Sequence, residues 1–221
     1  MKMDKANKKK KNKILVIVIP IVLIILICIG VYVVKENKKE EKLKTDNIDF
    51  KNEYEALNGQ LTEDGKEYPE VNIPEENVMN YSDINEVLKL FKDKKDGIVY
   101  LGSAKSLYSR SAIEVLLNET AKTKIDKVYY LEIEKTKTEN KEKYNELKEL
   151  LGEEYFDKEN NTNDLQIPLV LFIVDGNVVS YQKGTLFSQV SPYDELNEDQ
   201  KTGLGEIYRY GIRDVLEGMK N

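Results

Sequence analysis

One stretch, Gly97 to Ile113, constrains the fold of this chain more than any other. Ile98-Val99-Tyr100-Leu101 is a continuous apolar run, the pattern of a strand buried on both faces. Gly102-Ser103-Ala104-Lys105 breaks it with small and polar residues. Ile113, Leu116 and Leu117 then recur at helical spacing, with Ser111 and Glu114 in capping-box register. A strand that feeds a helix through a tight polar loop turns unpaired first-turn N–H groups toward that loop, where they favour negative charge.

The flanking sequence repeats this alternation. Ser82 or Asp83 can cap a helix whose face is Ile84, Val87, Leu88 and Phe91. Val128 to Ile133 reads as a second buried strand, so strand, helix and strand imply a parallel crossover. Glu134 to Lys143 reads as a charged loop. Tyr144, Leu147, Leu150 and Leu151 mark a helix stopped by Gly152, and Asp157 to Asp164 is a polar loop. Ile167 to Val174 and Val178 to Tyr181 flank Asp175-Gly176-Asn177, a strong hairpin signal. Asn197 and Gln200 stand in capping-box register before a closing helix of Leu204, Ile207, Tyr208, Gly211, Ile212, Val215 and Leu216. Upstream, Tyr54, Leu57 and Leu61 suggest a short docked helix, and Tyr68 to Pro74 an extended segment or edge strand, since each proline removes a donor.

The N-terminus follows other rules. Ile14 to Val34 is a 21-residue apolar run. At about 1.5 Å per residue it spans roughly 30 Å, the thickness of a bilayer core. Seven lysines precede it, which predicts a cytoplasmic N-terminus. Val31-Tyr32-Val33 gives no signal-peptidase site, and Leu26 and Ile27 are too bulky for a lipoprotein signal at Cys28, so an uncleaved anchor is expected. Cys28 reads as a small apolar membrane residue, with palmitoylation as the alternative. The expected organisation is a basic cytoplasmic tail (1–13), a transmembrane helix (14–34), a charged linker (35–47), an N-terminal extension (48–81) and an α/β domain (82–221).

Composition excludes several chemistries. A single cysteine permits no internal disulfide and no Cys-based metal site. The absence of histidine removes the usual base of serine and cysteine hydrolases and the commonest metal ligand. No EF-hand loop or Gly-rich phosphate loop is present, so neither metal nor cofactor is expected. Of 34 basic and 40 acidic residues, seven and one fall before residue 35, which leaves the rest of the chain near −12. Nucleic acid is therefore not an expected partner.

The stretch around Ser106 resembles the active-site loop of the thioredoxin superfamily. The two positions of its Cys-x-x-Cys fall on Ser106 and Ser109, with Leu107 and Tyr108 between and Arg110 after, and β-α-β-α-β-β-α from Ile98 to Met219 is the thioredoxin order. Ile167-Pro168 matches the superfamily's Xaa-cis-Pro before the hairpin, and Gly184 its bulge glycine. The resemblance implies a mixed sheet flanked by helices, with a polypeptide-binding groove between Lys105–Arg110 and Ile167-Pro168. Its contacts would be Lys105, Leu107, Tyr108, Ile167 and Pro168. Residues 50–59 and 68–74 are similar to the extension of membrane-anchored or secreted thioredoxin-like proteins, including those called bacteriocin transport accessory proteins.

Thioredoxin chemistry needs a thiolate and a resolving thiol. Serine supplies neither, and a hydrolytic serine would need a base, for which Lys105 is the only neighbour. Ser106 and Ser109 thus read either as helix caps or as the residue of lost cysteines, by natural decay or deliberate Cys→Ser replacement. Three functions are compatible: a membrane-anchored, outward-facing polypeptide binder of accessory or chaperone-like type, a thiol-disulfide oxidoreductase disabled in this copy, or a redox-dead docking module for an envelope complex.

Overall fold

The computed structural model describes residues 2–158, 160 and 162–220, and in the first helix the side chains of residue 22 and of 24 onward. That helix, α1, runs Lys2–Glu55. The chain divides into two compact units, Met1–Leu43 and Lys44–Asn221. In the first unit, the hydrophobic side chains from Ile24 to Val34 are exposed. Among the described residues no helix is long and apolar enough to cross a membrane. Of the expected span 14–34, the side chains of 14–21 and 23 lie outside the described residues. The charged stretch read as a linker is helical and largely exposed.

The second unit is built on a five-stranded mixed sheet in the order β1-β3-β2-β4-β5. Its strands are β1 (Met79–Tyr81), β2 (Gly97–Gly102), β3 (Val128–Glu132), β4 (Leu169–Val174) and β5 (Asn177–Lys183). The first three are parallel, and β4 and β5 run antiparallel. Side chains on a strand alternate between faces, so β2 divides its apolar run between two cores. Ile98 and Tyr100 join Val170, Phe172 and the helices α3 (Leu107–Thr120) and α6 (Glu198–Gly218). Val99 and Leu101 join Leu171, Ile173 and the helices α2 (Ile84–Lys92) and α5 (Lys141–Leu151). Phe50 and Tyr54, near the end of α1, are fully buried in the first core.

Local chemistry accounts for most boundaries. Asp83 caps α2 in a full capping box with Glu86, and Asn197 does the same for α6 with Gln200. The hairpin turns through Asp175 and Gly176, both with positive φ. Gly176 is required there, since a Cβ would meet the Phe91 carbonyl at 2.7 Å. Gly211 lets α6 rest on β4, where a Cβ would lie 2.3 Å from the Phe172 ring, and Gly218 packs the same way on Val174.

Several expectations are corrected. Of the two readings of Tyr68–Pro74, an extended segment or an edge strand, the strand is not formed. The segment's N–H groups bond to side chains, Val71 to Asn58 Oδ1 at 3.1 Å, Asn72 to Glu114 at 2.5 Å and Ile73 to Glu55 at 2.8 Å. The edge strand is β1 instead, so the sheet begins ahead of residue 82. No separate short helix docks through Leu61, which is exposed, while Tyr54 lies in α1 itself. Glu134 to Lys143 is helical rather than looped. The helix α4 (Ile133–Glu139) is capped by Glu132, which accepts from the Lys135 N–H at 2.5 Å, and it buries Ile133 and Thr136. Leu150 faces out of α5.

Candidate functional site

Helix α3 starts at Leu107 because Ser106 caps it, its Oγ accepting from the Ser109 N–H at 3.2 Å. The expected Ser111/Glu114 box does not form. Ser111 lies inside the helix and donates to the Leu107 carbonyl at 3.2 Å, and Glu114 accepts from Asn72. The capping expectation for the two serines holds for Ser106 and not for Ser109. Ser109 is fully buried, and among the described residues its hydroxyl has no hydrogen-bond partner. A buried unpaired hydroxyl is costly, whereas a sulfur at the same place is a small apolar group. Among the described residues no side-chain base hydrogen-bonds either hydroxyl, so nothing here activates a serine nucleophile.

The loop is fixed from below by tyrosines. Tyr100 Oη donates to the Ser109 carbonyl at 3.0 Å, and Tyr54 Oη lies 3.5 Å from Tyr100 Oη. Burial pushes the Tyr100 phenol well up. Beside them Glu53 accepts from Tyr130 at 3.0 Å and from Tyr81. Burial raises the Glu53 carboxyl, and those two hydrogen bonds pull it only partway back.

Arg110 is the residue whose role the sequence hid most completely. It is 1% exposed and donates to three main-chain carbonyls and one amide oxygen. The acceptors are Pro69 O at 2.7 Å, Tyr54 O at 2.6 Å, Ala104 O at 3.4 Å and Asn58 Oδ1 at 2.6 Å. Burial draws its pKa down. In sequence it is only a basic residue after a loop. Three of its four acceptors come from the 54–69 segment, which no periodicity connects to it. It acts as a strut that holds the extension against the start of α3.

The Ile167–Pro168 bond is cis, and Pro168 O accepts from the Gly184 N–H at 2.7 Å, with Gly184 at φ 60°. Between this bend and α3 lies a groove of about 720 Å³ lined by Tyr108, Gln166, Gln182, Lys183, Leu186 and Phe187, among others. Of the residues expected to contact polypeptide, Tyr108 lines this groove. Lys105 lines a different hollow, with Glu53, Ser103 and Glu132. Leu107 is half-buried and lines neither, Ile167 packs partly against the second core, and Pro168 is buried. Phe187 and Val190, 100% and 93% exposed, form the outer rim and were not anticipated. In sequence they are two of several apolar residues in the mixed run 184–197, beside Leu186, Tyr193 and Leu196, with nothing to mark them as exposed. Among the described residues no group of three or more His, Cys, Asp or Glu side chains is placed to hold a metal ion. No protein-family model matches the chain, and no curated protein matches it.

Proposed function

We propose that this chain is a membrane-anchored, extracytoplasmic thioredoxin-like protein that lacks the redox cysteines and binds polypeptides as an accessory or chaperone-like factor. The observation that carries the reading is the groove beside cis-Pro168, with Tyr108 on one wall and the exposed Phe187 and Val190 on its rim. Exposed large apolar side chains around a concavity mark interaction sites. The strand order and the cis bend support the thioredoxin-like assignment. The apolar run 14–34 behind seven lysines supports the anchor and its orientation. The test is site-specific photocrosslinking in the full chain, held in detergent, to a reduced and alkylated unfolded polypeptide. Crosslinks are expected from positions 108 and 187 and not from 105. Equal yield from all three positions, or none from any, refutes the reading.

A second reading, an oxidoreductase whose Cys-x-x-Cys became Ser106-x-x-Ser109, is favoured by one observation. The Ser109 hydroxyl is enclosed without a partner, in a place that suits sulfur better than oxygen.

A further inference from the structure

The groove at Tyr108 differs from the hollows around it in charge. The hollow beside Arg110 mixes five glutamates with four cations, Arg110, Lys122, Lys201 and Arg209, and the one beside Ser103 sets Glu53, Glu132 and Glu134 against Lys105 and Lys135. Among the described residues the groove is lined by no carboxylate and by two ammonium groups, Lys158 and Lys183. This is the reverse of the chain beyond residue 34, whose net charge is near −12. Lys183 Nζ donates to the Glu154 main-chain carbonyl at 2.5 Å, which orients the ammonium without neutralising it.

The apolar rim is held in place rather than loosely displayed. Gln189 donates to the Asp194 carbonyl at 2.9 Å and to Ser111 Oγ of α3 at 3.2 Å, and it accepts from Thr185. Gln182 donates to the Thr185 carbonyl at 2.8 Å. These bonds bracket Phe187 and anchor the turn that carries Val190. Two cations beside a braced apolar rim, on an acidic surface, form a bipolar recognition surface.

We propose that the groove selects extended polypeptide segments whose apolar side chains are flanked by carboxylates, the apolar groups meeting Tyr108, Phe187 and Val190 and the carboxylates meeting Lys158 and Lys183. This selectivity rests on the polypeptide-binding reading above. Elsewhere the acidic surface repels such a segment, so the groove is where it is retained.

The test is fluorescence anisotropy of the full chain in neutral detergent with three labelled peptides. They share one apolar centre and carry Asp, Ser or Lys on both flanks. At low ionic strength the Asp-flanked peptide is expected to bind roughly tenfold tighter than the Lys-flanked one, as two partly exposed charge contacts allow. The preference should shrink in salt and collapse toward unity in Lys158→Gln/Lys183→Gln. Phe187→Ser should weaken all three peptides. Equal binding of the three overturns the selectivity and leaves polypeptide binding standing. A preference that survives the double substitution also overturns it, because the charge reading then lies on another surface. If no peptide binds, both readings fall.

Discussion

Tyr100 within β2 donates its hydroxyl to the main-chain carbonyl of Ser109 at 3.0 Å, which ties the floor of the sheet to the first turn of α3. Both residues are fully buried. The position of the Ser106–Ser109 turn therefore depends on a phenol beneath it as well as on the cap. Tyr100→Phe should cost about 0.5–1.5 kcal/mol, since it removes one buried hydrogen bond from a carbonyl that the helix itself still satisfies. Urea unfolding of the full chain in detergent measures it. A loss below a few tenths of a kcal/mol would show that the bond is incidental.

Arg110 offers a sharper test. Arg110→Ala removes the buried donor that Tyr54 O, Pro69 O and Asn58 Oδ1 share and opens a void, so a loss above about 3 kcal/mol is expected. Arg110→Lys should recover little of it, because one ammonium cannot span acceptors arranged for a planar fork. Proteolysis should then cut first in the 57–74 extension. Lysine performing as well as arginine would contradict the strut.

The serines separate the two readings of ancestry. The protein as it stands should not reduce insulin disulfides, and Ser106→Cys/Ser109→Cys should do so if the frame is intact. Ser109→Ala alone should be neutral or stabilising by up to about 1 kcal/mol, because the hydroxyl it deletes has no partner. A folded but inactive double-cysteine variant would mean that the site has moved beyond redox use.

Glu53 sets a pH dependence with a definite sign. Burial raises its carboxyl above the ordinary value of 4.5, against the pull of the Tyr81 and Tyr130 hydrogen bonds. The native state then binds its proton more tightly than the unfolded chain does. Its contribution to stability must fall as pH rises through and above 4.5. Unfolding free energies of the wild type and Glu53→Gln, measured across that range, should diverge in favour of the variant as pH rises. Parallel curves would show that Glu53 titrates normally.

Much of this architecture was legible because it is local. Asp175-Gly176 needs no partner to demand a tight turn, and Asn197 with Gln200 announces a helix start within four residues. What was hidden depends on distant groups. β1 is three residues long, too short to show a period, and exists because β3 pairs with it. Tyr68–Pro74 has the alternation of a strand, but the Asn58, Glu55 and Glu114 side chains reach its amides first. The Ser111/Glu114 pair has capping spacing, yet Ser106 starts the helix one turn earlier. Of the five groove contacts expected from the sequence, only Tyr108 lines the groove. The rim was not anticipated, because exposure of Phe187 is a property of the fold and not of the residue.

The contacts at Gly211 and Gly218 bear on how such a protein can change over time. They seat α6 directly on Phe172 and Val174 of β4, so hairpin and closing helix form one mechanical piece with the 184–197 loop strung between its ends. The loop is pinned at a few points, Leu186, Gln189 and Leu196, and is free to vary between them. Substitutions or insertions in the loop can rewrite which segments are bound while the sheet and the Ser106–Ser109 turn stay where they are. Diversity among relatives of this chain should collect in that one loop.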